Sequence, residues 1–434
     1  MMSLIMQAKG VIKNSAYRSV GLYIFTNFFS KGVSLILIPI FTDPKYLTPS
    51  DNGVLSLFSS NMILLAPFIC LGMIQSSTAD FYKKSKAEFA NLFTTQFVIG
   101  GFMTLLATGI LYLFKDYLKA KFDFPESFVL IIPVLVFLVF SSEQLVALIR
   151  NRNEVNRFAM VGIAKSIIEY SLSVVLIVFF YYGWKGRVWG IAGSLIAVNM
   201  FGLYYYAKNG YLNYKIKRSQ VLDELKFGMP VFLFQLCVFM LGSSNKLFLA
   251  IFNVNKYDLG IYAIACIMGS MIGTLSQSIL LYVQPQLYKS ISSGEATFKS
   301  VKKDFIRYWK MLTIVSVICM GIAIFAYYFL INKIYLSGIR YFFLVSLQTY
   351  IWGLNYFLFL FLLYHKAKRK IFAVSLISIV CSVAINIYMV KNFLILGDAL
   401  SSLINTLIFS ILVIIFVQKI IKRTLHNNEQ PAAS

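Results

Sequence analysis

The 434-residue sequence is poor in charge: Asp, Glu, Lys and Arg make up 13% of it, against 59% hydrophobic residues. A soluble domain carries about a quarter charged residues, so a water-surrounded globule is excluded. Acidic groups are the scarcer sign, 17 against 40 basic, which leaves few carboxylates for acid–base or metal chemistry. The two histidines, His365 and His426, lie in basic stretches. The five cysteines (Cys70, Cys237, Cys266, Cys319 and Cys381) stand singly inside apolar segments. With no CxxC pair, they read as small buried residues, and neither a disulfide framework, a metal site nor a cofactor is expected. A cleavable leader is not expected either, because the first apolar run, residues 17–41, is too long and lacks a small-residue cleavage site.

What is present is a succession of apolar stretches of about 20 residues, each long enough to cross a bilayer core of roughly 30 Å. They predict twelve membrane-spanning helices, at 17–41, 53–79, 91–114, 128–149, 158–182, 188–207, 228–252, 259–283, 308–331, 341–364, 371–390 and 398–417. Helix is required because a lone strand would leave backbone groups unpaired in lipid. The net charge of +23 would suggest nucleic acid in a soluble chain; here it follows the positive-inside bias. Placing both termini in the cytoplasm puts Lys83, Lys84 and Lys86, then Arg150, Arg152 and Arg157, then the basic linker, on one side. The expectation is an all-α polytopic membrane protein that does not bind nucleic acid.

Half the chain repeats the other half. LTPSDNGVLSLF begins one span and NVNKYDLGIYAIA another; both place Asp-x-Gly (Asp51/Gly53, Asp258/Gly260) at the mouth of a helix that closes on Tyr-Lys. The expected organisation is therefore two six-helix bundles, 17–207 and 228–418, joined by a cytoplasmic linker 208–227 and related by a pseudo-two-fold axis along the membrane normal. A segment lying on the inner surface is expected at 1–16 and a cytoplasmic tail at 419–434.

Taken in order along the whole chain, these motifs resemble a family. Asp-x-Gly-Ile-Tyr, following a helix that holds SSNK, then QPQLY, LILIPIFTDPKYLTP and the Arg-rich LIRNRNEVNRF, is similar to Wzx-type polysaccharide repeat-unit flippases. Those belong to the multidrug/oligosaccharidyl-lipid/polysaccharide exporter superfamily. The resemblance implies alternating-access transfer of an undecaprenyl diphosphate-linked oligosaccharide, an O-antigen or related unit of lipopolysaccharide. Its implied partners are that lipid-linked oligosaccharide, membrane lipids and the polysaccharide polymerase and chain-length machinery. Asn245 stands where the family often has aspartate, which weakens any ion coupling built on that residue.

Charges inside the spans are the candidate functional groups, since each costs about 2.5–3.5 kcal/mol at the bilayer centre by insertion scales. Lys31 and Lys246 lie in the first helix of each expected bundle and favour an anionic ligand such as diphosphate. Asn27, Gln235, Gln348 and Asn355 are expected sugar contacts, and Trp352 an aromatic platform for a pyranose; each also suits helix–helix packing. Glu143, Lys165 and Glu169 form an expected ion-pair or proton-relay cluster. Lys310 snorkels. Rival cargoes are a lipid II or teichoic-type precursor, or a drug or cation in antiport. A membrane glycosyltransferase or polymerase fits less well, because the outer loops are short and carry no paired-carboxylate motif.

Overall fold

A computed structural model describes residues 15–81, 84–122, 126–213, 218–292, 298–365 and 367–429. The expected surface segment lies almost wholly outside these residues, as do part of the linker, the Tyr82–Lys83 pair and the end of the tail. The described residues are helical almost throughout, with no strand among them. In chain order the helices are α1 (Ser15–Ile36), α2 (Ile38–Thr42), α3 (Pro49–Cys70), α4 (Met73–Asp80), α5 (Lys86–Leu113), α6 (Lys115–Phe122), α7 (Glu126–Asn151), α8 (Val155–Val174) and α9 (Gly183–Asn209). They continue with α10 (Arg218–Gly242), α11 (Asn245–Ile251), α12 (Lys256–Ser292), α13 (Phe298–Phe329), α14 (Ile339–Tyr364) and α15 (Lys368–Glu429). Among the described residues ten helices are long and apolar enough to span a bilayer. One of these runs, Arg369–Gln418, is broken at Leu394, whose φ of 49° and ψ of −126° interrupt α15 and leave two arms.

Several spans expected to be continuous are broken, each for a local reason. The run 228–252 divides into α10 and α11, where the amides of Ser243 and Ser244 both turn to the Phe239 carbonyl. The Ser244 hydroxyl takes the Met240 carbonyl at 2.7 Å, the backbone competition that disfavours serine inside helices. α8 passes into a π turn, Val175–Phe179, before Tyr181 and Gly183 adopt positive φ. Leu71 and Gly72, with φ of 41° and 68°, separate α3 from α4.

The chain forms two compact units. Unit 1 holds Met1–Phe41, Lys45–Leu47 and Asn61–Phe232; unit 2 holds Thr42–Pro44, Thr48–Ser60 and Leu233–Ser434. α3 and α10 each give residues to both. The core of unit 1 is aromatic: Phe89, Phe93, Tyr205, Tyr206 and Tyr211 pack with Leu145 and Leu148. That of unit 2 is built on Phe357, Phe361, Tyr308 and Phe409, with the Tyr308 hydroxyl donating to the Gly353 carbonyl at 2.7 Å. Large apolar side chains also point outward, Leu105 and Phe329 each 74% exposed, which suits lipid rather than water.

The repeated Asp-x-Gly motifs meet inside unit 2. Each sits at a capped helix start: Asp51 accepts from the Thr48 amide and hydroxyl at 2.9 and 2.7 Å, and the Asp258 amide donates to Asn255 Oδ1 at 2.7 Å. Three residues before each aspartate there is thus a capping partner. The two helix starts then cross backbone to backbone. A methyl added at Gly53 would overlap the Lys256 carbonyl, and one at Gly260 would overlap the Pro49 carbonyl and lie 3.0 Å from the Gly53 nitrogen. Only glycine permits that approach.

Candidate functional site

α15 carries polar residues at helical spacing on both arms. Ser375, Ser378, Ser382 and Asn386 lie on the first, Asp398, Ser401, Ser402, Asn405 and Thr406 on the second, and all are buried. Asn405 Nδ2 donates to Ser382 Oγ at 3.1 Å and to Asn386 Oδ1 at 3.3 Å. Asn386 reaches Asn245 Oδ1 at 3.5 Å, and Asn245 donates in turn to Ser402. The start of α11 is thereby fixed one turn from Asp398, whose backbone carbonyl accepts from Ser401 and Ser402 at 2.8 and 2.9 Å.

The Asp398 side chain has no exposed surface, and neither carboxylate oxygen completes a hydrogen bond. Its polar neighbours are the Tyr262 hydroxyl, the Cys266 thiol and the Lys246 ammonium. An isolated carboxylate charge in such a place costs several kcal/mol, so the group either holds a proton or is offset by half-buried Lys246, the cation nearest at hand, which makes no ion pair among the described residues. Among the described residues no group of three or more His, Cys, Asp or Glu side chains is placed to hold a metal ion.

In unit 1 the expected Glu143–Lys165–Glu169 cluster is not assembled. Glu169 pairs instead with Arg187 of α9 at 2.7 Å. The same guanidinium donates to Ser173 Oγ at 2.9 Å and lies over the Tyr170 and Phe41 rings at 4.7 and 5.2 Å. A planar fork held by two rings is a better partner for a carboxylate than a flexible lysine one turn away. Among the described residues Glu143, which is exposed, and half-buried Lys165 make no ion pair. The exposed Lys31 side chain of α1 lies within electrostatic reach of Glu169, whose charge Arg187 already offsets.

A second buried carboxylate, Glu224 at the start of α10, is fully engaged. Ser76 Oγ and Gln96 Nε2 each donate to it at 2.7 Å, and Gln144 extends the network to Gln96 Oε1 at 2.9 Å. The expected sugar contacts have mixed fates. Gln348 donates to Thr406 at 3.3 Å and Asn355 to Ser410 at 2.8 Å, tying α14 to α15. Gln235 is half-buried with a partnerless Oε1, and the side chain of Asn27 lies outside the described residues. Trp352 is half-buried, 4.9 Å from Phe409 and 5.6 Å from Tyr356 between ring centres.

Residues 45–338 match the family model described as "Polysaccharide biosynthesis protein". The chain belongs to this family. Among curated proteins, none is similar enough in sequence to match. Solved structures share the fold of this family member. An inward-facing multidrug resistance MATE family transporter of the MOP superfamily matches with a TM-score of 0.69 at 13% identity, over 92% of this chain and 96% of that one. The lipid II flippase MurJ, in an inward closed conformation, matches with a TM-score of 0.68 at 14% identity, over 93% and 90%. An outward-facing MATE transporter gives 0.64 at 13% identity, over 94% and 96%. Transporters and flippases, not enzymes, carry the fold in these structures.

Three charged residues of this family member escape a reading by hydropathy. Asp398 stands at the predicted edge of a span, Arg187 just outside one and Glu224 in the linker, so each reads as solvated. A signal for Asp398 exists: polar residues at 398, 401, 402 and 405 form a stripe along one face of an otherwise apolar helix.

Proposed function

We propose that the protein is a flippase. It moves an undecaprenyl diphosphate-linked oligosaccharide repeat unit, of O-antigen or a related surface polysaccharide, from the inner to the outer leaflet of the bacterial cytoplasmic membrane by alternating access. In this reading the chain spans the membrane twelve times, in two six-helix bundles with both termini cytoplasmic. The observation that carries the proposal is Lys31. It is exposed on α1, in the stretch read as the first span, and unpaired among the described residues, and the carboxylate near it is already taken by Arg187. That leaves one positive charge for an anionic ligand, and a diphosphate between a greasy tail and a hydrophilic head supplies it.

The rival cargo, an organic cation, gains some support from Asp398. That carboxylate is sealed from the surface, however, and offers no face to a bulky cation. Lys31→Ala is expected to lower polysaccharide export in cells to near the level of a strain lacking the protein, with membrane levels unchanged. Lys31→Arg should retain export. Normal export by Lys31→Ala would refute the reading.

A further inference from the structure

Beyond the cations, unit 2 presents an uncharged polar face at membrane depth. On α12, Ser270 and Gln277 are exposed and Thr274, between them on the same stripe, is half-exposed. The two hydroxyls donate back to the carbonyls of Ile267 and Ser270, at 2.8 and 3.4 Å, and keep lone pairs outward. Gln277 Nε2 donates to the Tyr356 hydroxyl of α14 at 3.2 Å, which leaves its Oε1 open. One turn along α14, the Trp352 ring meets Tyr356 edge-on at an interplanar angle of 73°.

A primary amide turned toward hydrocarbon costs several kcal/mol, so this face is wetted rather than lipid-covered. It is also neutral: α12 holds no charged residue from 259 to 288, and α14 none from 341 to 364. Along these stretches neither helix itself supplies a counter-charge to a cation or an anion. A sugar ring, uncharged, with C–H bonds on its faces and hydroxyls on its rim, finds both aromatic surface and amide and hydroxyl partners.

We propose that Ser270, Thr274 and Gln277 of α12, with Trp352 and Tyr356 of α14, form a saccharide subsite that takes a neutral ring of the cargo. The inference rests on the flippase reading and names the part of the cargo these residues hold. Gln348 and Asn355, committed to α15, are not part of it.

The test uses the full-length protein in nanodiscs and three probes: undecaprenyl diphosphate, undecaprenyl diphosphate-linked N-acetylglucosamine, and free N,N′-diacetylchitobiose. Trp352→Ala and Gln277→Leu are each expected to weaken binding of the sugar-bearing lipid about tenfold and to leave the sugar-free lipid unchanged. Trp352→Phe, which keeps a ring, should lose less. Where wild type binds both lipids better than undecaprenol, equal losses for both, or no loss for either, would overturn the subsite. Diacetylchitobiose should quench part of the wild-type tryptophan fluorescence and less of it in Trp352→Phe; identical quenching in the two also overturns it. If neither lipid binds better than undecaprenol while the disaccharide still quenches Trp352, the flippase reading falls and the subsite stands.

Discussion

A carboxylate and an amine define the chemistry of unit 2 at the scale of single residues. Asp398 is fully buried with neither oxygen hydrogen-bonded, and Lys246 is the cation bearing on it. If the two offset one another, their substitutions cannot act independently. Asp398→Asn is expected to fold with an unchanged or raised Tm in detergent, since it keeps the shape and removes a charge that burial penalises. Lys246→Met alone should be destabilising where Asp398 is ionised, because it removes the cation bearing on that carboxylate. In the double variant most of that loss should be recovered; simple additivity in thermal unfolding would show that the pair does not communicate. Hydropathy picked out Lys31 and Lys246 as single letters within apolar runs. It could not supply their surroundings, because partner choice depends on which helices pack together. Glu169 illustrates this: Lys165 is its neighbour by spacing, yet Arg187, 18 residues later on the next helix, is its partner.

Single helices and their crossings carry the next level. The sequence repeat was visible as Asp-x-Gly, but its physical meaning emerges only from the crossing of α3 and α12. The aspartates belong to capped starts, and the glycines let two backbones touch. Gly53→Ala and Gly260→Ala should therefore each cost about 3 kcal/mol or more in thermal unfolding, as a methyl meets a carbonyl that cannot yield. The double variant should be less than additive because both methyls force open the same crossing; wild-type Tm for either single variant would refute the contact. Glu224 is the corresponding device at the start of α10. Glu224→Leu strands two donors, Ser76 and Gln96, and is expected to lose about 2–5 kcal/mol, while Glu224→Gln, which keeps an acceptor, should lose less. Helix existence was legible from apolar runs throughout. The breaks at Leu71–Gly72 and Ser243–Ser244 and the π turn were not, because each arises from a local backbone choice that composition does not record. The break at Leu394, by contrast, falls in the expected gap between the spans 371–390 and 398–417.

The molecule as a whole reconciles scarce charge with a membrane by spending it selectively. Large apolar side chains point outward, Ser382, Asn386, Ser402 and Asn405 of α15 are joined in one hydrogen-bonded network with Asn245, and Glu169 and Glu224 are bonded to groups in their own unit. Lys31 is an exposed cation on α1 without an ion pair among the described residues, with Glu169 nearby already bonded to Arg187. A family of polysaccharide biosynthesis proteins and a fold shared with MATE transporters and MurJ provide the setting in which such a cation has a use. The most direct test is the transbilayer movement of a labelled undecaprenyl diphosphate-linked oligosaccharide in proteoliposomes holding the full-length protein. Wild type should move the label across the bilayer far faster than protein-free vesicles, Lys31→Arg should approach wild type, and Lys31→Ala should fall to the protein-free rate. Movement by Lys31→Ala at the wild-type rate, or by wild type no faster than protein-free vesicles, would contradict the account.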